Sequence, residues 1–481
     1  MSVDAGLIRA LTGIVGRAGV VATLEGRLTY ECDMHTFYKG IPDVVVLPES
    51  AEQAAAVVRL CRGAHVPIVP RGSGTGLIGG AMAPQGGVMV SMTRMNRILE
   101  VDIANRCATV EPGLINLWLS NATRERGYFF APDPSSQMVS SIGGNVSTNA
   151  GGPHCLKYGI TVNHILGLQM MTGAGELVWV GGKAQDRPGY DLTGVMVGAE
   201  GTFGLVTAVM VRLLHLPEDV KTLLASFSTI EDASETVSAI IADGIVPAAL
   251  EMLDEVMIRA IEEGVHAGYP KGASAVLLIE LDGPRAEIEA QALRIEKICR
   301  DHLALELRVA QNDAERALLW KGRKEAAGVI GRITPSWLLQ DAVVPRSKLP
   351  QVMREMLAIS ARHRLVFANV FHAGDGNLHP IICYDDRVPG ELDRAKQASE
   401  ELLHACLALG GSVTGEHGVG LDKAKHLPYQ FADADLNFMA RLRRVFDPDG
   451  IMNPGKLLPD HPACGEGFRP VAPTLPSGTW V

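Results

Sequence analysis

Two textures of apolar and polar residues divide the chain. Near the start, Leu7 to Thr23 is apolar but interrupted by Arg9 and Arg17, which predicts an amphipathic helix rather than a spanning one. Asp43 to Pro48 and Val66 to Pro70 are short runs of β type. Between them Ser50, followed three residues later by Gln53, predicts a capping box that opens a helix through Gly63. This strand–helix–strand unit runs into Arg71-Gly-Ser-Gly-Thr-Gly76, with Gly79, Gly80, Pro84, Gly86 and Gly87 before a strand at Val88 to Ser91. Further strands are predicted at Cys107 to Glu111, Ile165 to Met171, Leu177 to Val180 and Gly204 to Leu214, and a helix from Ile115 to Arg126 stopped by Gly127.

After Pro217 strands and longer, more charged helices alternate, with strands at Leu223 to Phe227, Ala248 to Leu253 and Ala275 to Leu281. That pattern predicts a separate α+β domain with an open sheet. Glycine-rich segments return from Gly411, and a Pro/Gly-rich tail follows Ala463. The chain therefore divides into 1–217, 218–410, 411–459 and a mobile tail, 460–481, with no internal repeat.

With 481 residues the chain exceeds what one core usually covers. A net charge of −10 argues against nucleic acid or an anionic bilayer as the main partner, since both select basic surfaces. No apolar run is long enough to span a bilayer, which predicts a cytoplasmic protein. The eight cysteines are scattered, without a CxxC pair, so a bound iron–sulfur cluster is excluded. Electrons bound for such a cluster would leave for another protein.

Three constellations carry chemistry. In the first, a strand enters Gly72-x-Gly74-x-Gly76, whose bare backbone could approach a pyrophosphate or could simply form a turn. The Gly/Pro-rich continuation rules out a nicotinamide Rossmann helix, and no Gly-Lys-Ser/Thr follows for a Walker loop. Similar segments recur at Pro132-Asp-Pro-Ser-Ser136, Ser141-Ile-Gly-Gly-Asn145, Asn149-Ala-Gly-Gly152, Gly198-Ala-Glu-Gly-Thr-Phe-Gly204 and Asn453-Pro-Gly-Lys456.

In the second, Val366 to Phe371 leads into His372-Ala-Gly-Asp-Gly-Asn-Leu-His379 and a further β-run, Ile381 to Tyr384, which reads as a hairpin. A turn centred on Asp375 and Gly376 would place His372 directly opposite His379, so that both imidazoles could reach one ion. Gly415-Glu-His-Gly418 offers a carboxylate and a third imidazole. Paired core histidines and an exposed turn remain the alternative. In the third, a helix predicted over Asp313 to Gly331 puts Arg323 on a mostly apolar face with Leu319, Ala326 and Ile330. Such an arginine needs an anion, either a substrate carboxylate or a structural partner.

Taken together, these segments resemble the FAD-binding domain of the vanillyl-alcohol oxidase superfamily, in the branch of D-lactate dehydrogenase, D-2-hydroxyglutarate dehydrogenase and the FAD-binding chain of glycolate oxidase. The resemblance extends from about Asp43 to Lys456. It implies a two-lobed FAD-binding domain of the PCMH type plus a cap domain whose open antiparallel sheet is flanked by helices. It also implies non-covalent FAD held by Arg71, Gly72, Ser73, Gly74, Thr75 and Gly76, with Pro132, Asp133, Ser136, Ser141, Gly144, Asn145, Ser147, Glu200, Gly201, Val206 and Asn453 lining the cleft. The HxGDGNxH and GEHGxG motifs match here, which makes His372, His379 and Glu416 ligands of a divalent metal and His417 the base. A mixed N/O donor set suits Zn²⁺, Mn²⁺ or Fe²⁺ better than Mg²⁺. By the same correspondence Arg323, in Trp320-Lys-Gly-Arg-Lys-Glu325, holds a substrate carboxylate.

One position departs from the pattern. Where D-2-hydroxyglutarate dehydrogenases carry a lysine two residues before an aspartate, this chain has Leu339 before Asp341, which favours a monocarboxylate such as D-lactate, glycolate or a larger apolar 2-hydroxy acid. The reaction implied is oxidation of a small 2-hydroxy acid to the 2-oxo acid by hydride transfer to flavin. An external acceptor would follow, such as an iron–sulfur subunit, an electron-transfer flavoprotein or a quinone, with membrane association only through a partner and a homodimer as an open form. Two rivals stand beside this reading: a metallohydrolase using the His/His/Glu site, and a non-catalytic flavoprotein subunit.

Overall fold

The computed structural model describes residues 3–35, 38–184 and 188–459. The expected mobile tail, with Cys464, lies outside the described residues. The chain forms two compact units. The first takes the described residues up to Gly152, then Gly159–Leu216 and Glu416 onward; the second takes Pro153–Tyr158 and Pro217–Gly415. No helix among the described residues is long and apolar enough to cross a membrane.

In the first unit a four-stranded sheet runs in the order Val20–Val21, Val44–Val46, Val88–Ser91, Ile68–Arg71. Its last three strands are parallel, as a βαβ connection requires. The helix Ala51–Ala64 supplies that connection and buries Ala54, Ala55, Val57, Val58 and Cys61, positions three and four apart that share one face. This face packs in one cluster with Val44, Val46, Val88 and Val90 and with Met171 and Leu205 of a second sheet. Each fully buried valine there contributes about 2 kcal/mol. Ser50 caps the helix, its hydroxyl accepting from Gln53 N–H at 3.3 Å, but the Gln53 amide reaches back to Glu49 N–H rather than to Ser50. The capping box is thus displaced by one residue.

The second sheet is antiparallel: Ile98–Asp102, Cys107–Val110, Gly204–Arg212, Ile165–Thr172, Leu177–Gly181. The strand expected from Gly204 to Leu214 ends at Arg212; Leu214–His215 pairs instead with Tyr128–Phe129. Gly204 opens its strand at φ 157°, where a Cβ would stand 2.2 Å from the Met171 carbonyl. The N-terminal helix is also shorter than expected, Ala5–Val15, because Gly16 adopts φ 75° and turns the chain into a 3-10 turn and the Val20–Val21 edge strand.

The second unit is built on one antiparallel sheet of eight strands. Its order is Glu306–Val309, Asp219–Phe227, Ala275–Gly283, Ala249–Asp254, Val366–His372, Asn377–Tyr384, Ser336–Leu339, with Ala342–Val343 also on Asn377–Tyr384. Successive side chains alternate between faces. Leu253, Val276, Leu278, Ala368, Val370 and Ile381 point to one face, under the helices Glu255–Gly264, Asp313–Lys324 and Ala326–Val329. By the same alternation Glu251, His372 and His379 lie on that face.

Two expectations need correction here. The helix predicted over Asp313 to Gly331 breaks at Glu325 into Asp313–Lys324, Ala326–Val329 and a 3-10 turn. In the hairpin, His372 pairs with Asn377, and His379 with Val370. The turn spans Ala373 to Gly376, four residues, so the register differs by two from that expected. A shift of two preserves facing, since a strand repeats every second residue.

Candidate functional site

In the first unit the glycine loop leaves the Ile68–Arg71 strand. The Arg71 guanidinium turns inward, donating through Nη1 to the carbonyls of Cys32 and Ala81 at 2.9 and 3.0 Å. It lies 5.6 Å from the Tyr30 ring centre. Arg71 therefore secures the loop. Gly74, at φ 75°, has no room for a side chain, because a Cβ would stand 2.2 Å from that guanidinium. A Cβ on Gly72 would meet Ser141 Oγ at 2.4 Å, with the Gly144 backbone next to it. Ser141 caps the helix Ile142–Thr148, accepting from Gly144 N–H.

The other cleft segments converge on the same place. Glu200 N–H donates to the Ser147 carbonyl at 2.8 Å, a Cβ on Gly201 would sit 2.8 Å from Pro70 Cγ, and Asn453 Nδ2 donates to the carbonyls of Gly80 and Glu200. Pro132 accepts from Asn116 Nδ2 at 3.0 Å, and a Cβ on Gly152 would meet the Asp133 carbonyl at 2.5 Å. Asn145 is buried; Ser73, Thr75 and Gly76 remain half-buried; the carbonyl of Ser136 accepts from Val139 and Ser140. Val206 packs in the apolar cluster with Ile142, Val146 and Phe203, which belong to these same segments. Backbone cleared of side chains at Gly72, Gly74 and Gly144 is a cradle suited to a pyrophosphate.

Glu200 has a second task. Its carboxylate accepts from the N–H groups of Val419 and Gly420, both at 2.7 Å, and a Cβ on Gly418 would stand 2.7 Å from Glu200 Oε1. Burial pushes its carboxyl up to about 7, against the two N–H donors and Lys456. Glu200 thus holds the loop that begins with Glu416 and His417.

In the second unit Glu251 and His372 are direct cross-strand partners. His372 Nδ1 lies 2.8 Å from Glu251 Oε1, and Arg323 reaches Oε2 through Nε at 2.6 Å and Nη2 at 2.5 Å. Arg323 is 5% exposed and Glu251 not at all, so each charge requires the other. Burial alone would raise the Glu251 carboxyl, but Arg323 and His372 together hold it below the ordinary carboxylate range. The anion that the sequence required for Arg323 includes this glutamate, which sequence reasoning missed. The signal was there: an acid inside the strand Ala-Leu-Glu-Met-Leu-Asp needs a buried partner.

His379 lies beside His372, ring centroids 5.0 Å apart and planes 88° apart, with ligand nitrogens within 4.8 Å of each other. Asp341, also missed as a site residue, presents a carboxylate oxygen within 4.8 Å of a His379 nitrogen. Asp341 Oδ2 also accepts from Thr414 Oγ1 at 2.6 Å and Gly415 N–H at 3.0 Å. Gly415 packs so closely that a Cβ would stand 2.5 Å from the Asn377 amide. Glu416 and His417 follow by the next peptide bonds and are counted with the first unit. Two imidazoles and acidic groups on one face are a donor set that fits a divalent metal of the zinc or manganese type.

Comparison with known proteins gives the lineage. Residues 42–181 match the family described as FAD binding domain, and residues 216–457 the family described as FAD linked oxidases, C-terminal domain. The chain is 43% identical to glycolate oxidase subunit GlcD of Escherichia coli strain K12 over 96% of its own length and 92% of that protein. It is 33% identical to the mitochondrial D-lactate dehydrogenase [cytochrome] of Arabidopsis thaliana, covering 91% of this chain and 79% of the relative. The solved structure of p-cresol methylhydroxylase with substrate bound shares the fold, with a TM-score of 0.80 at 17% identity over 95% of this chain and 98% of that one. A glycine cradle in one unit, a histidine-bearing antiparallel sheet in the other and these matches over both together establish that the chain belongs to the FAD-linked oxidases.

Proposed function

We propose that the chain is a metal-assisted dehydrogenase of small 2-hydroxy monocarboxylates, of the glycolate or D-lactate type, with FAD bound non-covalently. The observation that carries this reading is the group of His372, His379, Glu251 and Arg323 on one sheet face, two imidazoles beside a buried guanidinium. The relatives named for glycolate and D-lactate chemistry support the substrate class.

Bound FAD supplies the two-electron acceptor, and a bound divalent metal supplies a Lewis acid that lowers the pKa of the substrate hydroxyl. His372, His379 and Glu416 would hold the metal. Arg323 orients the carboxylate through guanidinium N–H groups beyond the two that Glu251 engages. His417 accepts the hydroxyl proton on an imidazole nitrogen as the Cα–H bond breaks. Arg71, Gly72 and Gly74 keep the loop bare for the pyrophosphate, while Glu200 fixes the loop that carries His417.

Substrate size follows from Leu339 and Gln340. Leu339 packs against the apolar cluster of the sheet, and the Gln340 amide is tied to Ser399 Oγ at 2.5 Å. Neither offers a cation for a second carboxylate. An external acceptor, such as an iron–sulfur subunit, an electron-transfer flavoprotein or a quinone, would take the electrons, because the scattered cysteines of the sequence lack the close grouping that a cluster needs. The metallohydrolase alternative leaves the FAD-binding domain without a task. Turnover with an artificial dye acceptor tests the reading: kcat/KM should be at least about tenfold higher for glycolate or D-lactate than for D-2-hydroxyglutarate, the scale of one missing polar contact. Preference for the dicarboxylate would contradict it.

A further inference from the structure

We propose that Glu251 is a positioning residue that sets the tautomer of His372, so that this ligand carries its lone pair on Nε2, while the same carboxylate aligns Arg323. The inference rests on the metal reading above and extends it to a residue no motif contains.

Glu251 is the central acid of a strand whose six residues, Ala249–Asp254, are all buried. The cross-strand pairing places it directly opposite His372, and alternation puts both on the face that Arg323 covers. An ionised carboxylate only accepts hydrogen bonds. Nδ1 of His372 lies 2.8 and 3.0 Å from the two Glu251 oxygens and farther, 3.4 Å, from Arg323 Nη2, so in a neutral ring the carboxylate draws the proton to Nδ1 and leaves the lone pair on Nε2. Metal-binding histidines are oriented in this way by a carboxylate on the opposite nitrogen. Arg323 Nε and Nη2 occupy Oε2, so one carboxylate fixes two side chains whose proposed partners are the metal and the substrate carboxylate. A water could not do the same, because it donates as readily as it accepts.

Replacing the carboxylate by an amide reverses the hydrogen-bond logic. In Glu251→Gln the amide oxygen can serve Arg323 only if the NH₂ faces His372. The amide then donates to Nδ1, the ring proton moves to Nε2, and that nitrogen has no lone pair for a metal. Glu251→Asp keeps the acceptor-only character on a shorter arm.

The test uses the FAD-loaded full chain, stripped of metal by chelator. Free Mn²⁺ is followed by electron paramagnetic resonance during titration, and the imidazole tautomers of the metal-free protein are read by ¹⁵N NMR. The expected result is an Nδ1–H form of His372 in the wild type and an Nε2–H form in Glu251→Gln. The Mn²⁺ Kd should rise about 10- to 100-fold in that variant, with part of the loss recovered in Glu251→Asp. A merely structural role would lower Tm without changing the tautomer. Wild-type Mn²⁺ affinity in Glu251→Gln, or an Nε2–H ring in the wild type, would overturn the proposal. If Glu251→Gln does not fold, the wild-type tautomer and the Glu251→Asp titration decide it. A wild type that binds no Mn²⁺ or Zn²⁺ would remove the metal reading itself, a result distinct from a wild type that binds metal and a variant that binds it equally well.

Discussion

His372 and His379 stand edge to face at 5.0 Å, although neither is the other's cross-strand partner. They are diagonal neighbours, His379 opposite Val370 and His372 one pleat further along the same face. This arrangement brings two imidazoles together without a direct pair, and Glu251 braces only one of them. Replacing either histidine by alanine should reduce bound divalent metal from about one per chain to a small fraction and lower kcat by about 10²-fold or more, with FAD occupancy unchanged. Elemental analysis beside the flavin absorbance checks both halves.

Arg323→Lys should retain the charge opposite Glu251 but lose the planar fork. We expect kcat/KM for a 2-hydroxy acid to fall about 10²-fold, mostly through KM. Arg323→Met would leave a buried carboxylate short of its cation and cost about 3–5 kcal/mol of stability, so it should be read by chemical denaturation first.

Glu200 ties the segment after His417 to the glycine cradle through two N–H bonds. Glu200→Gln retains one acceptor, leaves one buried N–H unsatisfied and should cost about 1–3 kcal/mol. The sign with pH is set by its raised carboxyl, about 7 against an ordinary 4.5. The folded state holds this proton more tightly than the unfolded chain, so the contribution is complete below pH 4.5 and is lost as pH rises through 7. Wild-type stability measured by denaturant should therefore fall between pH 5 and pH 7.5 more steeply than that of Glu200→Gln, and equal slopes would contradict the assignment.

Gly415→Ala places a methyl where the Asn377 amide now lies, 2.5 Å from its Cγ. The loop entering Glu416 must move, and misplacement of about 1 Å is enough to cost about 10²-fold in rate. We expect turnover to fall by that order while FAD content and Tm change little, as steady-state kinetics and a thermal melt would record.

Much of this was legible in the sequence because it is local. The β-runs at Val44–Val46, Ile68–Arg71, Ile165–Thr172 and Ala275–Gly283 are mostly apolar, interrupted at a few positions such as Arg71, Gln169 and Glu280, and buried strands look like that from composition alone. The glycine segments of the cradle could be read in order for the same reason. What escaped is nonlocal. Glu251 gains its meaning from Arg323, 72 positions on, and His372, 121 positions on. Asp341 gains its own from Thr414 and Gly415. The hairpin register turned on whether the turn held four residues or six, which the Gly-Asp-Gly composition does not decide. Nor did any pattern mark Pro153–Tyr158, which joins the second unit through His154 on Glu280 and Lys157 on Asp282.

In the function we propose, FAD chemistry on a 2-hydroxy acid depends on a metal held by His372 and His379. The measurement that tests it most directly is the anaerobic visible spectrum of the purified protein after addition of glycolate or D-lactate, with and without prior removal of metal by a chelator. Substrate should bleach the flavin band, chelation should slow bleaching by about 10²-fold or more, and added Zn²⁺ or Mn²⁺ should restore it. Bleaching at full rate in the chelated protein would contradict the metal's role, and a flavin that no 2-hydroxy acid reduces would contradict the account as a whole.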